Sequence, residues 1–347
     1  MLRDELLRRF PALVSLPPNT EVIGGAIRDL MLGAEPADVD VECDDPLATA
    51  SGLGKVINLG RGDLQVYRVV LADRVYDFSR RTDLGRRDFT MNAIALDLTT
   101  GQQRDPYNGE ADIRRRLVRM INAKNFQDDP LRMLRAVRLA LQFNFEIDRE
   151  TMMTIRRRAS HLTTVAAERV TYELQTIFSA HQFRLAFALL HEAGLDEPLF
   201  GYAFDPQRYR ADDLSLAASY ALLVRDPRAF AKRWKWSDAL SRQVLTLQRL
   251  TRECGAIELW DAGEATARQF PALLRAIGRE PVALPDFATE IFLDGNEIAA
   301  LTGIEAGPGL GSIKRALLEA QLRGEVRTRE EAEAFVKNEE FRISNFE

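Results

Sequence analysis

Glu21-Val22-Ile23-Gly24-Gly25-Ala26-Ile27-Arg28-Asp29, followed by Asp38-Val39-Asp40, is the stretch from which the fold of this 347-residue chain is read. A β-rich triplet runs into a Gly-Gly pair and then into a helix extending to about Leu32. Two glycines between strand and helix let the backbone approach a ligand closely, and the N–H groups at the helix start favour an anion such as a triphosphate. Asp38 and Asp40 alternate with Val39, so a strand puts both carboxylates on one face. Neighbouring carboxylates repel unless a cation lies between them, and hard oxygen ligands select Mg²⁺. The plainer alternative is a pair of solvent-facing acids on an edge strand.

Around this stretch lie other short β-rich runs: Gln65 to Leu71, Val75 to Phe78 and Ala93 to Leu98, with a turn at Thr100-Gly101. From about Asp128 the period changes to that of helices, through Leu131, Leu134, Val137 and Leu141, then Val170, Leu174, Ile177 and Phe178. The expected class is therefore α+β: a head with a small mixed β-sheet, followed by an all-helical remainder. Breaks near Gly201 to Asp213 and Gly278 to Asp286 subdivide the helical part. The length itself calls for more than one module.

Hydrophobic content of 46% and charged content of 29% exclude disordered and collagen-like chains. No apolar run approaches the roughly 18 residues of a membrane span, and Met1-Leu2-Arg3-Asp4-Glu5 lacks a signal-peptide core, so no membrane association and a cytoplasmic location are expected. Cys43 and Cys254 and only three His argue against a disulfide framework or a structural zinc site. The net charge is −5, yet between Arg114 and Arg158 twelve Lys and Arg face five acids, a local surplus of +7. Such a surplus matters more than the total for phosphate contacts, although solvated helix faces have the same composition.

Three further constellations carry chemistry. Asp77 interrupts the apolar strand Val75-Tyr76-Asp77-Phe78, where a neighbouring strand could offer it to the same metals as a third carboxylate, or leave it facing outward. Arg86-Arg87-Asp88-Phe89-Thr90-Met91-Asn92-Ala93 sets two guanidiniums beside a carboxylate and an amide, suited to phosphates and a ribose hydroxyl. In Asp128-Asp129-Pro130-Leu131-Arg132-Met133-Leu134-Arg135-Ala136-Val137-Arg138, Asp129 and Arg132 fall on one helix face, opposite Leu131, Leu134 and Val137. A simple ion pair three residues apart explains that spacing equally well.

Taken in order, these motifs resemble the class II tRNA nucleotidyltransferase and bacterial poly(A) polymerase family. The resemblance runs through Gly-Gly-x-x-Arg-Asp…Asp-x-Asp, Arg-Arg-Asp-Phe-Thr-x-Asn-Ala, and Asp105-Pro106-Tyr107-Asn108-Gly109-x-x-Asp112. It continues in Asp129-Pro-Leu-Arg132-Met-Leu-Arg-Ala-x-Arg138 and Glu168-Arg169-Val170-x-x-Glu173, and so covers roughly residues 20 to 175. A weaker match lies at Gly307-Pro308-Gly309-Leu310-Gly311, opening a helix from Ser312 to Arg323. The resemblance implies a catalytic head (1–118), a helical neck that recognises the base (119–178), a helical body (179–277) and a helical, tRNA-binding tail (278–347).

It also implies a two-metal nucleotidyl transfer with Asp38 and Asp40 holding Mg²⁺ and Asp77 as a further catalytic carboxylate. Gly24, Gly25 and Arg28 would cradle the triphosphate, while Arg87, Asp88 and Asn92 would hold sugar and phosphates. Asp129 and Arg132 would read the base, with Arg135 and Arg138 adding to the nucleotide site, and Asp105 to Asp112 would form the hinge between head and neck. C and A both present an amino donor beside a ring-nitrogen acceptor, whereas U and G present a carbonyl beside an N–H. A carboxylate and a guanidinium therefore admit C and A and mismatch U and G, each mismatch costing about 1–3 kcal/mol.

The chain departs from the family pattern in three places. Asp128 stands where Glu is common. No His-Asp dipeptide is present, which argues against the phosphohydrolase domain of some relatives. Between Arg81 and Arg86 only Thr82-Asp83-Leu84-Gly85 remains, where CCA-adding relatives carry a longer loop associated with switching from C to A. The leading expectation is a CC-adding enzyme using CTP on the tRNA acceptor end, then a complete CCA-adding enzyme using CTP and ATP, with no stable protein partner. A poly(A) polymerase is less favoured, because the end from Glu339-Glu340-Phe341 to Glu347 is acidic where such enzymes usually have a basic extension. An inactive RNA-binding relative is opposed by the intact Asp38 and Asp40. Arg156-Arg157-Arg158, Lys232-Arg233-Trp234-Lys235-Trp236 and Lys314-Arg315 are candidates for gripping the acceptor stem, against a reading as solvated faces or, for the tryptophans, partial core.

Overall fold

The computed structural model describes residues 2–60, 65–72 and 74–343; side chains from residue 339 on, in the acidic stretch noted above, lie outside the description. The chain forms two compact units, one of Met1–Ala180 with Leu185–Pro206 and the other of His181–Arg184 with Gln207–Glu347. The residues of the expected head and of the whole expected neck fall in the first unit. Residues 185–206, expected as body, belong there too.

The first unit is built on a seven-stranded sheet of β1 (Glu21–Ile23), β2 (Asp38–Glu42), β3 (Val56–Leu59), β4 (Val66–Leu71), β5 (Arg74–Ser79), β6 (Ala95–Asp97) and β7 (Gln103–Arg104). Their order across the sheet is β3-β4-β5-β2-β1-β6-β7. Only β2 and β5 are parallel, and every other neighbouring pair is antiparallel, so the sheet is mixed as expected. Alternation fixes which side chains turn inward: Val39 and Val41 of β2 are fully buried while Asp38 is exposed.

Up to Phe178 the α-helices of this unit are α1 (Leu2–Arg9), α2 (Gly25–Met31), α3 (Pro46–Leu53), α4 (Gly109–Arg115), α5 (Asn125–Asp128), α6 (Leu131–Phe143), α7 (Arg149–Arg158) and α8 (Ala167–Phe178). The sequence reading found one early helix, and the structure has three. α1 spans little more than two turns, too short for a clear apolar period, yet it buries Leu6 and is followed by Phe10, whose ring meets Tyr76 edge-on at 5.6 Å. α3 had a legible start in Asp45-Pro46: the Asp45 carboxylate accepts from Ala48 N at 3.1 Å and Pro46 occupies the first turn. The edge strand β3 was also missed, its residues being half-buried or exposed.

α6 buries Leu131, Met133, Leu134, Ala136, Val137, Leu139, Ala140 and Leu141, leaving Arg132, Arg135 and Arg138 on a narrow stripe. Each fully buried leucine here is worth about 1.5–3 kcal/mol relative to exposure. A short parallel pair, Leu117–Val118 with Glu146–Ile147, ties the segment after α4 to the end of α6.

The second unit is helical among its described residues. Its last three helices, Gly295–Thr302, Pro308–Leu322 and Arg329–Ile343, share a core of Leu293, Ile298, Ile313, Leu317 and Val336. The helix expected from Ser312 begins four residues earlier, because the fixed φ and missing N–H of Pro308 suit a first helical turn. Among the described residues no helix is long and apolar enough to cross a membrane.

Candidate active site

The Gly-Gly turn joins β1 to α2. Gly24 has φ of +79°, in the region that glycine alone enters without strain, and its N–H donates to Ile94 O at 3.0 Å. A Cβ at Gly24 would lie 2.6 Å from Arg87 Nη1, so the glycine lets that guanidinium reach the sheet face. Arg28, one turn along α2, is 8% exposed. Its guanidinium donates to Asn92 Oδ1 at 2.6 Å and to Asp29 Oδ1 at 2.7 Å, and stacks 4.6 Å from the centre of the Phe143 ring.

Sheet register brings the acids together. Asp40 of β2 pairs with Asp77 of the parallel strand β5, and Asp77 in turn pairs with Arg68 of β4, so all three share a face with Asp38. Although its side chain reaches solvent, partial desolvation against the sheet pushes the Asp38 carboxyl above its ordinary range, and the negative charges of Asp40 and Asp77 add to the rise. Arg87 Nη1 stands 3.3 Å from Asp40 Oδ2. Asp77 is nearly buried, and Arg68 grips it through two bonds, Nε to Oδ1 at 2.8 Å and Nη2 to Oδ2 at 2.6 Å. Arg68 was not singled out by the sequence reading. The signal that marked Asp77, a charge in an apolar strand, marks Arg68 equally.

Among the described residues no group of three Asp, Glu, His or Cys side chains could hold a metal together. Asp38 and Asp40 still fit a divalent cation: their donors are hard oxygens, and register sets them on one sheet face beside Asp77, where a cation would offset the mutual repulsion of the carboxylates. Mg²⁺ is commonly held by one or two carboxylates completed by water and substrate phosphates.

Beside this face opens a cavity of about 320 Å³ lined by Thr82, Asp83, Arg86, Arg87, Asp88, Asp129, Arg132, Arg135 and Arg169. Five arginines against three aspartates give the wall a surplus of two positive charges, suited to an anionic ligand. The backbone of its Arg86-Arg87-Asp88 wall is pinned by Asn125, whose amide donates to Gly85 O at 2.8 Å and Arg87 O at 2.6 Å.

Asp88 is the centre of a buried chain of bonds. Its Oδ1 accepts from Phe89 N and Asn92 Nδ2, both at 2.9 Å, and its Oδ2 accepts from Arg135 Nε at 2.8 Å. Burial pushes this carboxyl up, but the Arg135 charge and the hydrogen bonds outweigh it and bring it down to about 2. The Asp88 charge in turn raises Arg135. Arg138 continues the chain, donating to Glu173 Oε2 at 2.7 Å, and Arg135 Nη1 lies 3.9 Å from the same carboxylate. Arg28, Asn92, Asp88, Arg135, Glu173 and Arg138 thus form one network, in which Glu173 was quoted in a motif but given no role.

Asp129 and Arg132 both line the cavity, but they do not pair with each other. Asp129 precedes α6 in extended backbone instead of standing on the helix, and its carboxylate is engaged by Arg169 of α8. Arg132 Nη1 donates to Asn125 O at 3.2 Å. The simple ion pair between them is therefore excluded.

The Asp105 to Asp112 segment is held by its own side chains. Asp105 accepts from Gly109 N at 2.7 Å and Glu110 N at 2.9 Å, and Asp112, 2% exposed, accepts from Thr90 Oγ1 at 2.7 Å. Gly109 is required by contact: a Cβ there would lie 2.1 Å from Thr90 O. In the second unit, Trp234 and Trp236 are 3% and 8% exposed, which makes them core, and Arg315 pairs with Asp261 at 2.6 Å.

Comparison with known proteins gives a consistent picture. The model of the Poly A polymerase head domain matches residues 61–119, and that of the probable RNA and SrmB-binding site of polymerase A matches residues 144–205. An A-adding tRNA nucleotidyltransferase of Deinococcus radiodurans is 28% identical over 96% of this chain and 98% of its own. A CC-adding tRNA nucleotidyltransferase of Synechocystis is 37% identical over 69% of this chain and 60% of its own. The crystal structure of the Bacillus stearothermophilus CCA-adding enzyme in complex with CTP superposes with a TM-score of 0.79 at 27% identity, covering 99% of both chains. Motif order, the mixed-sheet head with its helical continuation and these likenesses agree: the chain belongs to the class II tRNA nucleotidyltransferase and poly(A) polymerase family.

Proposed function

We propose that this protein adds C residues, as CC, to the 3′ end of tRNA from CTP without a nucleic-acid template, by two-metal attack of the RNA 3′-hydroxyl on the α-phosphate with release of pyrophosphate. The observation that carries the reading is the meeting of Asp38 and Asp40 on one sheet face with a net-positive cavity that also holds Asp129 and Arg132. Asp38 and Asp40 would hold Mg²⁺. When bound, the ions would acidify the attacking hydroxyl and neutralise charge growing on the α-phosphate and pyrophosphate. The chain's own residues bind and orient the nucleotide. Arg28 and Arg87 meet the triphosphate, the Asp88 and Asn92 pair holds the sugar, and Asp129 and Arg132 match the amino group and ring nitrogen of cytosine.

The restriction to CC rests on the connection after β5. Only residues 80–83 separate Ser79 from the short turn Leu84–Arg86, which leaves little chain to reshape the cavity for a second base. A complete CCA-adding enzyme is the second reading, favoured by the likeness over 99% of the chain to the CCA-adding enzyme described above. The deciding assay offers CTP, ATP or both to tRNA ending at the discriminator base and to tRNA ending in CC, with products resolved to one nucleotide. Two added C and no A support the proposal. Addition of A to either substrate rejects the CC restriction, and no incorporation of C rejects the assignment to CTP.

A further inference from the structure

We infer that Arg169 is a positioning residue for base selection, acting through Asp129, and this deepens the reading of Asp129 and Arg132 as the base reader on which it rests. Arg169 Nη2 donates to Asp129 Oδ2 at 2.7 Å and Nη1 to Oδ1 at 3.2 Å, a two-pronged grip that sets the plane of the carboxylate. Oδ1 also accepts from Leu131 N at 3.2 Å. Each carboxylate oxygen offers about two acceptor directions. Both of those on Oδ1 are taken, by Arg169 and by Leu131, whereas Oδ2 carries Arg169 alone and keeps one.

The reader is thereby reduced to a single acceptor site of fixed orientation. An exocyclic amino group, as on C or A, satisfies that site. The carbonyl of U or G would set lone pair against lone pair. Arg132, which spends one N–H on Asn125 O, has others left for a ring nitrogen. Arg169 is half exposed at the cavity wall, and its guanidinium bonds to Asp129 alone among the described residues, so the arrangement is not one that packing demands. Without the fork, the Asp129 side chain could rotate about its last bond and present both oxygens in turn, and discrimination would fall while the pocket remained.

The test compares Arg169→Gln, Arg169→Lys and Asp129→Asn with the parent chain. Two readouts are used: dissociation constants for CTP and UTP with Mg²⁺ by calorimetry, and kcat/KM for each nucleotide on tRNA ending at the discriminator base. The expected result is a CTP-over-UTP preference lowered about tenfold or more by Asp129→Asn and by Arg169→Gln. Arg169→Lys, which keeps the charge but not the fork, should fall between, and the unfolding midpoint of Arg169→Gln should stay within a few degrees of the parent, as for an exposed pair. An unchanged preference in Arg169→Gln, with a lowered one in Asp129→Asn, overturns the role of Arg169 and leaves the base reader standing. An unchanged preference in Asp129→Asn overturns the base reader itself. Equal losses for CTP and UTP in Arg169→Gln would mean a structural part only, and full preference in Arg169→Lys would reject the fork.

Discussion

Replacing Arg135 by Met removes the counter-charge of Asp88 while keeping most of the side chain's length. Asp88 is 6% exposed, and its carboxyl is brought from an ordinary value near 3.8 to about 2. Roughly two pH units of depression at about 1.4 kcal/mol each amount to roughly 2–3 kcal/mol of stability at neutral pH. Breaking a buried pair by removing one partner typically costs about 3–5 kcal/mol, so a loss of roughly 3 kcal/mol is expected at pH 7. The sign follows from the depressed value: the contribution is complete above pH 4 and is lost as pH falls through about 2. In the variant, burial acts on Asp88 without the opposing guanidinium, so acid no longer weakens that site. The gap between the two proteins should therefore narrow from pH 7 to pH 3. The probe must report the right unit, because Trp234, Trp236 and Trp260 all lie in the second. Urea titrations read by amide hydrogen exchange of Leu131–Phe143 meet that need. A gap below about 1 kcal/mol at pH 7, or one of equal size at pH 7 and pH 3, refutes the reasoning.

Three other outcomes are expected. Gly24→Ala, at φ of +79° and with its new methyl 2.6 Å from Arg87 Nη1, should cost about 1–2 kcal/mol in stability. It should also lower kcat/KM at least tenfold, since Arg87 must leave Asp40; steady-state kinetics and thermal melts check both. Asp40→Ala should abolish nucleotide transfer while leaving tRNA binding by filter assay nearly unchanged, and retained activity would remove its metal role. Arg68→Met frees the Asp77 carboxylate beside Asp38 and Asp40, so Mn²⁺ binding followed by electron paramagnetic resonance should tighten; an unchanged affinity would place Asp77 outside the metals' reach.

Much of the head was legible because its signals are local. Alternation around Val39 put two carboxylates on one face, and glycines punctuated the turn before α2. The apolar period of α6 was equally plain. What stayed hidden was which charged groups would meet. Asp77 and Arg68 are nine residues apart, and their pairing depends on the register of β4 against β5. Asp129 and Arg169 are forty apart, and no spacing rule joins an extended residue before one helix to the first turn of another. The spacing of Asp129 and Arg132 suggested a shared helical face, but Pro130 starts the helix after Asp129, and the cap geometry sends the carboxylate elsewhere. α3 was missed although its cap was visible, because eight residues that bury only Pro46 and Ala50 make almost no periodic pattern.

The chain of bonds from Arg28 through Asn92, Asp88, Arg135 and Glu173 to Arg138 limits how the protein can be divided. Arg28 and Asp88 belong to the sheet-bearing part of the sequence, whereas Arg135, Arg138 and Glu173 come from α6 and α8. A fragment ending near residue 118 would carry Asp88 without the cation that keeps it ionised in a buried place. A hybrid made by exchanging heads between relatives would keep Arg135, but the foreign carboxylate would have to meet it in the geometry that α6 sets here, unless the junction fell beyond Glu173. The unit of exchange for nucleotide handling is therefore larger than the sheet, and grafting a foreign head onto this body should succeed only when α6 and α8 travel with it.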